Sequence, residues 1–257
     1  MVEEYGYQDI FDVRGRNYNE ACERWPAARE IERHLLLERL DLNSGQVVCD
    51  VPAGGGYVAD GIRARFGDSI RVHRYEPSHN FRADKKEDYH EVSHELARLD
   101  AEDGYFDRVA SLAGLHHVAD KQSFYQECWR VTKPGGRFVV ADVRAGTPVA
   151  RFLNGPVDRL TETGHEGMFP DTGDFTRGLE AAGYINVTEE FIEFPWCFPS
   201  ETELIEFCRL LFGMSLGSQE EIADELHQHF EISAMDDGAQ LPWSLIYAVG
   251  FKPADAG

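Results

Sequence analysis

Residues 47–56 read VVCDVPAGGG. An apolar run ends on Asp50 and passes through Ala53 into three consecutive glycines, Gly54, Gly55 and Gly56. Glycine adopts backbone angles closed to other residues and lets a ligand approach the main chain. Twenty-two positions beyond Gly54, the segment RVHRYEPS carries Glu76. A spacing of about 20 residues separates such a turn from an acid that accepts hydrogen bonds from two ribose hydroxyls. The chemistry implied is the grip on an adenosine-type cofactor. Gly54-Gly55-Gly56-Tyr57-Val58-Ala59 also satisfies the dinucleotide pattern G-x-G-x-x-A, a match that is weak alone.

These residues need strands and helices to hold them. QVVCDV (46–51) is an apolar strand, YVADGIRARF (57–66) a helix and SIRVHRYE (69–76) an alternating second strand. Residues 89–94 form a weak third strand. YFDRVASL (105–112) is a fourth, followed directly by GLHHV. Residues 120–132 are an amphipathic helix stopped by Lys133-Pro134-Gly135-Gly136, and RFVVADV (137–143) is a fifth strand. Two helices come first, over 17–24 and 26–39, with Pro26 near a helix start. A helix (172–184), a strand (185–194), two further helices (201–213 and 218–229) and a closing strand (243–253) complete the chain. Strands alternating with helices predict a parallel sheet covered on both faces. The expected organisation is one domain: a helical cap over 1–44, a cofactor-binding core over 45–143, an irregular segment over 144–171 that could be a lid, and a C-terminal half over 172–257 with a helical insertion at 196–242.

Composition narrows the function. At 257 residues and 42% hydrophobic, the chain is long enough for one well-buried α/β core. It has no run of about 18 apolar residues, so no membrane span is expected. The acidic start MVEEYGYQDIFD does not read as a secretory signal. Cys22, Cys49, Cys128, Cys197 and Cys208 are scattered and form no CxxC pair, which argues against a zinc site or disulfide framework and fits a reducing cytoplasm. The net charge of −21, from 46 acids and 25 bases, repels phosphate backbones and disfavours nucleic-acid partners.

Three features disfavour a nicotinamide cofactor: about 45 residues precede the first strand, KPGG precedes the fifth, and the chain ends soon after one sheet. The ordered motifs DVPAGGG, the acid in YEPS, FDRVASLAGLHHV (106–118) and VTKPGGRFVVADV (131–143) instead resemble the class I S-adenosylmethionine-dependent methyltransferases, over roughly residues 45–252. The nearest resemblance is to small-molecule enzymes of the ubiquinone, menaquinone and natural-product type. It implies a Rossmann-like, doubly wound, mostly parallel seven-stranded sheet with a C-terminal antiparallel hairpin. It also implies S-adenosylmethionine as cofactor and S-adenosylhomocysteine as its product.

The resemblance assigns roles to positions. Asp50, Ala53, Gly54 and Gly56 match the loop that contacts the methionine part and the ribose, and Glu76 matches the ribose acid. Glu95 stands where the family often places an acid near the adenine amino group, with the Leu96 N–H offered to the ring. Leu112 to His116 should flank the sulfonium, and Tyr18 could reach over the cofactor. Pro52 departs from the pattern, standing where the first glycine usually lies. His116 and His117 are base candidates, with His165 in TGHEGMF a third; each could equally cap or pack a turn. Trp196, Phe198, Phe207, Phe212 and Met214 suit either a core or a substrate wall, and Arg14 or Arg16 either an exposed salt bridge or a carboxylate clamp.

Methyl transfer from a sulfonium needs alignment and exclusion of water more than a fixed catalytic motif. Strand 4 ends in Ser111-Leu112-Ala113, without the aspartate of magnesium-dependent catechol enzymes, so a metal-independent displacement onto a small molecule is expected. The rivals are a protein or RNA methyltransferase, a non-catalytic scaffold of the same fold, and a nicotinamide oxidoreductase. Oligomeric state is open.

Overall fold

A computed structural model describes residues 7–82, 89–90, 92–93, 96–235 and 238–255. Two helices lead: α1 (Tyr7–Arg24) and α2 (Glu30–Leu40). Then β1 (Val47–Asp50), α3 (Tyr57–Phe66), β2 (Arg71–Tyr75), α4 (His79–Arg82), β3 (Tyr89–His90), β4 (Phe106–Leu112), α5 (Lys121–Val131) and β5 (Thr132–Asp142) alternate. Helical turns α6 (Pro148–Phe152) and α7 (Asp158–Leu160) follow, joined by a π-helical stretch over Leu153–Val157. The chain continues through α8 (Asp174–Ala182), β6 (Ile185–Phe198), α9 (Glu201–Phe212), α10 (Gln219–His229), β7 (Ser233–Met235) and β8 (Gly238–Phe251).

The strands lie in the order β3-β2-β1-β4-β5-β8-β6. Neighbours from β3 to β5 are parallel, while β8 runs antiparallel to both β5 and β6. This is the expected doubly wound sheet with its hairpin, plus the short β7 paired with β8 as an eighth strand. Alternate residues of β5 serve opposite layers: Val139 and Ala141 pack with α2, α3 and α9, whereas Phe138 and Val140 pack with α5 and α8. Among the described residues no helix is long and apolar enough to cross a membrane.

Three segments differ from the sequence expectation. Lys133-Pro134-Gly135-Gly136 lies inside β5 and is not a turn before it. Gly135 donates to the Lys252 carbonyl and Lys252 donates back to that of Gly136, so the end of the chain holds this irregular edge in the sheet. Segment 144–171 is helical over 148–160, where Thr147 caps α6 by accepting from the Ala150 N–H. The insertion is shorter than 196–242, because β6 runs on to Phe198 against Ala239.

The winding places the site. β1 and β4 are neighbours whose following connections leave in opposite directions, and their C-terminal ends open a crevice there. The turn at 51–56 and the turn at 113–117 flank it. The Val51–Pro52 peptide is cis, and the Pro52 ring packs on Gly114, where a Cβ would come within 2.7 Å.

Candidate functional site

At the end of β1 the backbone takes left-handed angles at Gly54 (φ 51°) and Gly56 (φ 87°), the latter opening α3. Glycine accepts these angles at no steric cost. Gly55 is required for space: a Cβ there would stand 2.0 Å from Asn19 Oδ1 on α1. Helix α1 therefore lies directly on the turn. Asp12 pins it by accepting from the Ser78 hydroxyl at 2.9 Å and the His79 N–H at 2.8 Å.

A cleft runs along this turn. Asp50, Ala53, Gly54, Tyr18 and Leu112 line it, together with Phe81. The Asp50 carboxylate is buried, and neither oxygen has a partner in good hydrogen-bond geometry. Burial pushes its carboxyl well above the ordinary range, against the pull of the Arg74 guanidinium. Such a group is costly unless a ligand donates to it, and an ammonium would.

Glu76 lies behind the turn, fully buried. It accepts from the Gly54 N–H at 2.7 Å, the Ser78 N–H at 2.8 Å and the Tyr7 hydroxyl at 3.0 Å. Burial raises its carboxyl to about 7, and those donors oppose the shift. A carboxylate has about four acceptor sites, so one remains for a ribose hydroxyl and a second hydroxyl must displace Tyr7. Gly56 shapes the turn from its helix side. Leu96 is buried, with φ 52°, and its N–H donates to the Ser93 carbonyl, away from the cleft walls. Glu95 lies outside the described residues.

A second cavity, of about 530 Å³, shares Phe11, Tyr18, Arg29 and Ala113 with the first. One wall is aromatic: Trp196 and Trp243 stack at 4.0 Å between ring centres, with Phe212 stacked beyond them. Phe198, Phe207 and Met214 are buried in the core behind that wall. Trp196 donates to Glu32 at 3.0 Å, and Glu32 is ion-paired with Arg29. Arg29 in turn lies over the Trp196 and Tyr57 rings and bonds the Tyr18 hydroxyl. Desolvation pushes the half-buried Tyr18 phenol up to about 12, against the pull of Arg29.

The opposite wall carries His116, His117 and His165. They meet although the last comes from a different loop: one ring nitrogen from each lies within 4.8 Å of the others. His116 Nδ1 is 2.7 Å from Asp142 Oδ1, and its backbone N–H donates to Asp142 Oδ2 at 2.9 Å. His165 Nδ1 is 3.0 Å from Asn154 Oδ1, and its backbone N–H donates to Asp158 at 2.6 Å. Burial first, then the neighbouring imidazoles and Arg14, hold His117 and His165 well below the ordinary histidine range, so both rings are neutral near pH 7.

Arg14 completes this cavity; it is not exposed, and among the described residues it makes no salt bridge. It is buried and donates to the Thr161 and Thr163 hydroxyls, at 2.9 and 2.6 Å, and to the Gly164 carbonyl. Burial lowers it to about 10. Sequence reading did not single out Arg29, Glu32, Trp243, Asn154 or the orienting role of Asp142. Only Asp142 carried a local signal, as the acid ending the fifth apolar strand.

Comparison with known proteins agrees with this geometry. Residues 49–140 match a family described as a methyltransferase domain. The chain is 33% identical over 129 residues to the methyltransferase GfsG of Streptomyces halstedii, covering 46% of each chain. It is 31% identical over 141 residues to a demethylmenaquinone methyltransferase of Corynebacterium glutamicum, covering 54% of this chain and 60% of that one. The chain thus spans about half the length of the curated relatives it matches. Among solved structures, a Haemonchus contortus phosphoethanolamine N-methyltransferase holding phosphomonomethylethanolamine and S-adenosylhomocysteine superposes with a TM-score of 0.63 at 17% identity. That match covers 97% of this chain and 60% of the other.

Proposed function

We propose that this chain, whose residues 49–140 match a methyltransferase domain and whose fold is that of solved methyltransferases, is a class I S-adenosylmethionine-dependent methyltransferase that transfers a methyl group to a small molecule held in the second cavity. The observation that carries this reading is the adjacency of the two cavities, both of which Phe11, Tyr18, Arg29 and Ala113 line. The cofactor, when bound, supplies an activated methyl carbon on a sulfonium.

The residues fit that cofactor. Asp50 offers a buried carboxylate with acceptor capacity to spare to its ammonium, Glu76 an acceptor site to its ribose, and the Gly54–Gly56 turn a backbone it can approach. Leu112 and Ala113 would border the reacting end, and the acceptor would lie beyond them. The protein's part is to exclude water with α1 and to fix the acceptor in line with the methyl carbon.

The cavity supports a particular kind of acceptor. The stacked tryptophans and Phe212 suit a flat apolar body, and the buried Arg14 suits an anionic group on it. Incubation with isotopically labelled S-adenosylmethionine and a panel of aromatic hydroxy acids, matched to neutral esters, tests this by mass spectrometry. Label should enter the acids and much less the esters. Transfer to neutral or cationic members alone would contradict the assignment of Arg14.

A further inference from the structure

We propose that His116, His117 and His165 bind one divalent transition-metal ion, and that this ion holds the acceptor oxygen that takes the methyl group. The second half rests on the methyl-transfer reading; the first half does not. The expectation of metal independence drew on the missing aspartate after β4. Three imidazoles are a different donor set, one that suits zinc and its neighbours more than magnesium.

The geometry carries the ion site. The three rings offer one nitrogen each within 4.8 Å of one another. Zinc–nitrogen bonds of about 2.0–2.1 Å in tetrahedral array put nitrogens about 3.4 Å apart, so the rings must close by roughly 1 Å. Two rings are already aimed. Asp142 engages His116 Nδ1 and Asn154 engages His165 Nδ1, each leaving Nε2 for a ligand. Metal-bound histidines typically have this arrangement, the second nitrogen held by a carboxylate or carbonyl oxygen. Asp142 is fixed in turn by the N–H groups of His116 and Val143, at 2.9 and 2.7 Å. Three ligands leave a fourth position open, and these rings line the second cavity.

The electrostatics name the occupant of that position. Arg14 is buried beside the rings, with no carboxylate within 4.0 Å among the described residues. Glu32 is already paired with Arg29, and Asp142 with His116; Asp158 acts on Arg14 from beyond ion-pair distance and accepts from the His165 N–H, leaving one carboxylate against the guanidinium and the two charges of an ion. A dication beside Arg14 therefore needs an anionic ligand, and an acceptor hydroxyl that ionises on the ion supplies it. Its proton passes to water. The oxygen then forms the bond to the methyl carbon as the carbon–sulfur bond breaks, leaving the electron pair on a neutral thioether.

The test uses the tag-free chain after treatment with a chelator and dialysis. Titration with Co²⁺ should develop the visible absorption of a low-coordinate cobalt–histidine site at one equivalent, bleached by Zn²⁺. His117→Ala and His165→Ala should abolish the band. Asp142→Asn and Asn154→Ala should weaken the affinity about 10–100-fold. Calorimetry of S-adenosylhomocysteine on the same samples reports whether each variant is folded and tests the cofactor reading separately. A variant that fails that check is replaced in the comparison by Asn154→Ala. No band in the wild-type chain, or a band unchanged in folded histidine variants, would overturn the site. Co²⁺ binding without homocysteine-ligand binding would uphold the ion and remove its role in methyl transfer.

Discussion

Glu76 gives the account its pH dependence. Its carboxyl sits near 7 in the folded protein, against an ordinary value of 4.5. Between those values the folded state keeps a proton that the unfolded chain has lost. Stability from this group is therefore greatest below about pH 4.5, falls as pH rises toward 7, and is flat above. In the proposed ribose role Glu76 would accept in its ionised form, so binding S-adenosylhomocysteine should release a proton below pH 7, and affinity should increase from pH 6 to pH 8. Calorimetry in buffers of different ionisation enthalpy measures both. Glu76→Gln should flatten the pH dependence, and Glu76→Ala should weaken binding by about 1.5–3 kcal/mol; an unaltered affinity would remove Glu76 from the ribose site. That Asp50, Gly54 and Glu76 gather at one turn was legible in the sequence, because a short turn and a strand end place them locally. Arg14 was not: its partners Thr161 and Thr163 lie 147 and 149 residues away. Nor was the Trp196–Glu32 bond, across 164 residues.

Among the elements, α1 decides whether the cofactor turn is closed. It supplies Tyr7 to Glu76, Phe11 and Tyr18 to both cavities, and Asn19 against Gly55. Gly55→Ala should drive Asn19 aside at an overpacking cost of about 1–3 kcal/mol. The expected readout is a loss of S-adenosylhomocysteine affinity, with Asn19→Ala in the same chain restoring most of it. Equal losses in the single and double variants would show that α1 does not bear on the turn. The helix itself was half legible. Periodicity marked residues 17–24, but the stretch of α1 from Tyr7 depends on contacts with the 76–82 segment that no local pattern records. The strand at 132–136 was hidden for a similar reason, since Pro and Gly there read as a stop until Lys252 is seen pairing with them.

At the scale of the whole molecule, winding order was legible because strand and helix patterns alternate, and right-handed crossovers leave few arrangements. What alternation cannot show is which loops converge over the sheet edge. The 113–117 turn and the 161–171 loop meet there, bringing His165 to His116 and His117. The acidic balance of −21 argues for a small acceptor over a nucleic acid, and the chain should show no affinity for duplex RNA at moderate salt. A ligand bound only by the folded state raises stability by about 2.7 kcal/mol at a hundredfold excess over Kd, so saturating S-adenosylhomocysteine should raise Tm by about 5–10 °C. The most direct test of the central claim is calorimetric titration of the chain with S-adenosylhomocysteine and, separately, with NAD. The account predicts one micromolar site for the adenosyl ligand and none for NAD. Binding of NAD with no response to the adenosyl ligand would contradict it.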